Sequence, residues 1–313
     1  MIDYATLIDA ETWAFIERTN SYYPPDTVDY TIVQQREIYD RMCREFHAGQ
    51  SKGVAARTTA IATATHSIPI RIYARDPADT SAVVLYFHGG GFILGGLDSH
   101  DDVCAELCAA TGFEVVSVDY RLAPEHVHPA AFDDAFSAFQ WAASAYDRPI
   151  LLCGDSAGGN LAAAVSHAAR GHARAPVGQV LIYPGLGGDR TKGSYQVHAN
   201  APMLTVRDLD FYKSIRSGGA AVSADPTFSP LADTDFSRLP PTVVVTAQCD
   251  PLSSDGETYR DRILAAAGKA WWHEEAGLVH GYLRARHSVG RARESFARIA
   301  GALGLLARGA MPG

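Results

Sequence analysis

The chain has 313 residues, 47% hydrophobic and 20% charged, enough length and apolar content for a sizeable core with an accessory segment. A formal net charge of −8 argues against a surface built for nucleic acid, and the longest basic cluster, "RARES" at 291–295, fits the solvated face of a helix. The opening "MIDYATLIDAETWAF" carries acids where a signal peptide needs a basic run, and no window of about 18 apolar residues is available to span a membrane.

Residues 1–48 read as an N-terminal helical segment, with Ile38, Met42 and Phe46 at four-residue spacing after a break at "YYPPD" (22–26). The texture then changes. "SIPIRIYA" (67–74) alternates as a strand does, and "AVVLYFH" (82–88) is nearly all apolar, as a strand buried on both faces would be. A helix over 101–112 stops at Gly112, and "FEVVSVDY" (113–120) is a strand. A proline opens a helix over 129–145. "PILLC" (149–153) is a strand, 158–170 a helix and "GQVLIYP" (178–184) a strand. "TVVVTAQC" (242–249) precedes a helix over 256–268, "AWWHEE" (270–275) is the last strand, and a helix of about 288–307 closes the chain.

Strands alternating with helices predict an α/β fold: a mostly parallel sheet with helices on both faces. The core falls into two parts, 49–186 and 241–313, separated by an irregular insertion at 187–240. Ligands of such sheets bind at the C-terminal edge of the strands. The insertion is expected to hang over that edge and, with segment 1–48, to form a lid. Tyr195, Leu204, Leu209, Phe211 and Tyr212 are read first as core of that insertion, with the lining of a pocket as the other reading. The five cysteines (Cys43, Cys104, Cys108, Cys153 and Cys249) are odd in number and form no C-x-x-C pair. Cys104 and Cys108 share a helix face, and the set reads as reduced and cytoplasmic.

The strand 149–153 runs through "GDSAGG" (154–159) directly into a helix. This is G-x-S-x-G in the strand–turn–helix setting that lifts a serine hydroxyl clear of a sheet, so Ser156 is the candidate nucleophile. Only small side chains fit two residues before and after such a turn, hence Gly154 and Gly158. A serine that merely caps the helix would not need both.

A serine attacking an ester generates an anionic oxygen, which fixed N–H donors must meet. Ala157 offers one at a helix N-terminus. The others are expected from "HGGGFILGG" (88–96), where Gly90 and Gly91 can turn bare amides inward and His88 fixes the loop. The spacing fits neither a dinucleotide loop nor a phosphate loop, since the sole Gly-Lys pair, at 268–269, lacks a following Ser or Thr.

The remaining partners are an acid and a histidine, in the order Ser, Asp/Glu, His. Asp250 ends the strand 242–249 and is the preferred acid; Asp255, at the start of the next helix, is the alternative. Of His273, His280 and His287, the first sits within a strand and the last beside the final helix. His280, in "GLVHGYL", follows a strand and precedes a glycine, and is the candidate base. His66, His126, His128 and His198 lack metal-ligand companions, and "HEEAG" (273–277) is no zinc-protease motif; no metal or cofactor is expected.

With these residues in place, the chain resembles the hormone-sensitive-lipase-like branch of the α/β-hydrolases. The resemblance is carried by "HGGGF" (88–92), "DYRLAPE" (119–125), "GDSAGGN" (154–160), "DPL" (250–252) and "HGY" (280–282), in the family's order over some two-thirds of the chain. It is most similar to bacterial acetyl-esterase-type enzymes. The resemblance implies a serine carboxylesterase for short-to-medium acyl esters, with a mostly helical cap and often a homodimer. It places the triad on Ser156, Asp250 and His280 and the oxyanion donors on Gly90, Gly91 and Ala157. Tyr282 departs from the commoner phenylalanine. The alternatives are a receptor-like ligand-binding protein on this scaffold, whose lineage replaces the histidine, and a lactonase or amidase with the same triad.

Overall fold

The computed structural model describes residues 2–49, 51–77 and 79–313. Three helices come first: α1 (Tyr4–Leu7), α2 (Ala10–Tyr22) and α3 (Ile32–Phe46). Helix α3 starts on a capping box, in which the Thr31 hydroxyl accepts from the Gln34 amide and the Gln34 side chain accepts from the Thr31 amide.

The core then alternates as β1 (Val54–Ala62), β2 (Ser67–Arg75), β3 (Asp79–Phe87), α4 (Asp101–Thr111), β4 (Phe113–Val118), α5 (Ala130–Ala145), β5 (Ile150–Asp155), α6 (Ala157–Ala168) and β6 (Gly178–Ile182). After two helices in the insertion, α7 (Ser194–Val197) and α8 (Val206–Ser217), it resumes with β7 (Thr242–Cys249), α9 (Ser253–Ala265), β8 (Ala270–Val279) and α10 (Gly290–Ala307). All strands lie in one eight-stranded sheet of order β1-β2-β4-β3-β5-β6-β7-β8. The β1–β2 and β2–β4 pairs are antiparallel, and every other pair is parallel.

The side-chain period of two divides β3 between two cores. Val83, Leu85 and Phe87 pack with Phe139, Leu161 and Val165 of α5 and α6. Val84 and Tyr86 pack with Cys104 and Leu107 of α4 and Leu303 of α10. Cys104 and Cys108 are buried on one face of α4, as their spacing predicts.

The strand β1 escapes the sequence reading for a physical reason. It is an edge strand, exposed along most of its length with only Ile61 buried, so its sequence carries no apolar alternation. The last strand is longer than "AWWHEE": it continues past a register shift and Gly277, whose φ is +70°, to Val279. Gly277 keeps a partner there by donating its amide to the Gln248 side chain at 2.8 Å.

Register aligns the C-terminal strand ends. Phe87 pairs beside Gly154, Asp155 beside Ile182, Ile182 beside Val245, and Cys249 beside Val279. The residues that follow β3, β5, β7 and β8 therefore emerge along one edge, the C-terminal edge of the parallel strands.

Candidate active site

Ser156 sits between β5 and α6 with φ 53° and ψ −115°, a conformation that L-residues other than glycine rarely adopt. The turn is held by its amide, which donates to the Ile182 carbonyl at 2.8 Å. A β-carbon on Gly154 would run into the Gly158 carbonyl, and one on Gly158 into the Phe87 carbonyl. Both glycines are thus required by close backbone approach, as the motif predicts.

His280 emerges directly from β8 and Asp250 from β7. His280 Nε2 lies 2.9 Å from Ser156 Oγ, and His280 Nδ1 lies 2.7 Å from Asp250 Oδ2. Asp250 is fully buried, and its Oδ1 accepts from the Leu252 amide at 2.9 Å. The structure thus brings Ser156, His280 and Asp250 into one hydrogen-bonded line. Tyr183 packs its ring against His280 at 4.9 Å between centroids.

The alternative acid is placed elsewhere. Asp255 is in the first turn of α9, but its Oδ2 accepts from the amides of Leu186, Gly187 and Gly188 and from the Tyr195 hydroxyl. It fastens the loop after β6. Burial pushes its carboxyl up to about 6, even against those donors.

Gly90 and Gly91 have φ of +124° and +63°, and a β-carbon on Gly90 would strike the Leu94 carbonyl. The amides of Gly90, Gly91 and Ala157 donate to no acceptor among the described residues, and all three residues line the same cavity as Ser156. His88 is fully buried, stacks on Tyr120 at 4.3 Å, and places Nδ1 2.7 Å from the Gly89 carbonyl. Burial lowers its imidazole to about 4, so it is neutral and serves the loop.

Four of the other histidines considered above have side-chain partners away from Ser156. His287 meets Glu106 on the surface, while His66, His128 and His198 contact Asp134, Asp225 and Tyr4. No group of three or more metal-ligating side chains occurs among the described residues.

Sequence reasoning missed several residues. Asp155, inside the motif, accepts from the Gly89 amide at 3.0 Å and the Tyr86 hydroxyl at 2.7 Å, with His100 Nε2 at 3.3 Å. Burial would raise its carboxyl, but His100 and Tyr86 outweigh that and hold it well below the carboxylate range. It ties the glycine loop to the serine turn. Only its place in "GDSAGG" hinted at this. Arg216 and Arg284 also reach the cavity, and nothing local in the sequence marks them.

The cavity has a volume of about 320 Å³. Its walls include Tyr23 and Tyr39 from the N-terminal segment and Tyr195, Leu204, Leu209 and Tyr212 from the insertion. Four of the five residues first assigned to the insertion's core therefore face the cavity. Phe211 instead packs with Ile93 and Leu94. Tyr195 and Leu204 do both, being buried against Leu252 as well. Helical spacing alone cannot separate the two roles.

Comparison with known proteins agrees with this architecture. Residues 84–284 match a family model described as the alpha/beta hydrolase fold. The chain is 36% identical over 269 residues to the carboxylic ester hydrolase LipN of Mycobacterium tuberculosis, covering 82% of this chain and 71% of that protein. It is 38% identical over 242 residues to the carboxylesterase NlhH of the same organism, covering 74% and 76%. Among solved structures, a thermophilic carboxylesterase cloned from a metagenomic library superposes with a TM-score of 0.85 at 33% identity, covering 91% of this chain and 99% of that one. The chain belongs to the α/β-hydrolase fold family, in its hormone-sensitive-lipase-like branch, and is a carboxylic-ester hydrolase.

Proposed function

We propose that Ser156 is the nucleophile, His280 the general base and acid, and Asp250 the group that orients and stabilises the imidazolium. The observation that carries this reading is the line of 2.7 and 2.9 Å contacts from Asp250 through His280 to Ser156, ending beside three unpartnered amides. His280 takes the Ser156 proton as Oγ attacks the ester carbonyl, and the oxygen that becomes anionic accepts from Gly90, Gly91 and Ala157. His280 then protonates the leaving alcohol. In the second half it takes a proton from water, which attacks the acyl-enzyme and frees Ser156.

Segments 1–48 and 187–240 act in this reading as a cap over the strand edge. Support comes from their shared contribution to the cavity wall and from Tyr23 Oη, which lies 3.2 Å from Tyr212 Oη across the two segments. A cavity of about 320 Å³ suits short-to-medium acyl chains, and its mostly apolar lining suits their methylenes. The five cysteines are free and buried, which supports a reduced, cytoplasmic setting.

A receptor-like role has no support from a site that keeps its histidine in contact with its serine. The test of bond preference is a hydrolysis screen of matched esters, lactones and amides from C2 to C12 acyl length. The expected result is fastest turnover of esters below about C8; lactones or amides turned over faster than esters would overturn the ester assignment.

A further inference from the structure

The cavity holds two guanidinium groups that, among the described residues, form no salt bridge with a carboxylate. By contrast the buried Arg286 is paired, sitting between Asp102 and Glu106, the latter at 2.6 Å. Arg216, 5% exposed, instead donates to the Phe228 and Thr227 carbonyls and to Asn160 Oδ1, and its Nε has no partner. Its guanidinium lies 3.4 Å from the Phe92 ring centroid and 4.1 Å from that of Phe228. Arg284 donates from Nη2 to Tyr39 Oη at 2.6 Å and Cys43 Sγ at 3.2 Å. Among the described residues its Nε is buried without a partner and its Nη1 makes no hydrogen bond.

The acid that lines the cavity, Asp155, and the nearby Asp250 are already committed. Asp155 serves Tyr86, Gly89 and His100; Asp250 serves His280 and Leu252. Two further cations line the cavity, Lys213, which is exposed, and Arg190, which is paired with Asp210 at 2.6 Å. Asp155 shares this field, but a buried guanidinium N–H with no acceptor still favours an anionic partner. The two arginines differ in what they leave open. Arg216 has the Phe92 and Phe228 rings against it and its Nη atoms on oxygens, so its N–H groups are largely taken up in joining α8 to Phe92 and to 227–228. Arg284 keeps Nη1 free and stands four residues after His280, in the 3-10 turn Tyr282–Ala285.

We propose that this cavity takes esters that carry a carboxylate, and that Arg284 receives it. The inference rests on the serine-esterase reading and narrows its substrate class. A guanidinium with an open N–H meets a carboxylate by a short charge-assisted hydrogen bond that an ammonium reproduces only as a point charge. Lys213 adds attraction at the mouth.

The experiment compares kcat/KM for charged esters and neutral isosteres in which isopropyl replaces the carboxylate. Monomethyl glutarate against methyl 5-methylhexanoate probes the acyl side; 4-acetoxybutanoate against 4-methylpentyl acetate probes the alcohol side. The expected result is preference for the charged member of at least one pair by about tenfold or more. In Arg284→Gln that ratio should fall to near one, chiefly through KM of the charged ester, and Arg284→Lys should recover part of it. Equal or faster turnover of the neutral member in both pairs overturns the proposal, as does a ratio unchanged in Arg284→Gln. If Arg284→Gln fails to fold, the wild-type ratios and competitive inhibition by free glutarate decide. A fluorophosphonate that labels Ser156 keeps the two readings apart. Labelled protein without charge preference overturns this inference alone, whereas protein neither labelled nor active on any probe overturns the esterase mechanism beneath it.

Discussion

Tyr212 on α8 lies so close to Gly91 that a β-carbon on the glycine would stand 2.6 Å from Tyr212 Cδ1. The insertion thus presses directly on the loop assigned to hold the oxyanion. Gly91 has φ +63°, so alanine there carries backbone strain as well as the clash. Gly91→Ala should lower kcat by on the order of 10²-fold, the typical loss of one oxyanion donor. Adding Tyr212→Ala should relieve the clash without restoring kcat, because the strained φ remains. Steady-state kinetics with a melting curve checks both, and near wild-type kcat in the single variant would count against the loop's role.

The acid can be tested without disturbing the fold. Asp250→Asn keeps an oxygen for the Leu252 amide but offers His280 Nδ1 the wrong hydrogen-bonding pattern. Loss of kcat on the order of 10³–10⁴-fold is expected, with little change in melting temperature. A loss below about tenfold would shift the acid's role away from Asp250.

Asp255 predicts a pH dependence of stability. Its folded pKa, about 6, is raised by burial above the unfolded value for aspartate near 3.9. A raised folded value means the native state binds the proton more tightly. The stabilisation is fully present below about pH 4 and is lost as pH rises through about 6. Asp255→Asn does not titrate. Between about pH 4 and pH 7 the wild type should therefore lose roughly 2 kcal/mol of unfolding free energy relative to that variant. Urea unfolding of both proteins across this range measures it; a constant difference would contradict the assignment.

The parts of the site that were legible in the sequence are those with local causes. Gly154, Ser156 and Gly158 declare a turn because backbone contacts forbid larger side chains there. Asp250 and His280 were placed because each follows a strand, and parallel register brings strand ends to one edge. What stayed hidden depends on long-range partners. Asp255 looked like a helix-start carboxylate, yet it reaches across to the amides of 186–188. Strand β1 has too little burial to leave a pattern. Arg216 and Arg284 acquire meaning only from having no salt-bridge partner among the described residues, which no spacing reveals.

Trapping the covalent intermediate tests the central claim most directly. Wild-type protein quenched during turnover of p-nitrophenyl butyrate and digested for mass spectrometry should carry a butyryl group on Ser156. Ser156→Ala should lack it and lose hydrolysis by on the order of 10⁴-fold or more. A butyryl group found only on another residue, or a Ser156→Ala variant that keeps a tenth of wild-type activity, would contradict the account.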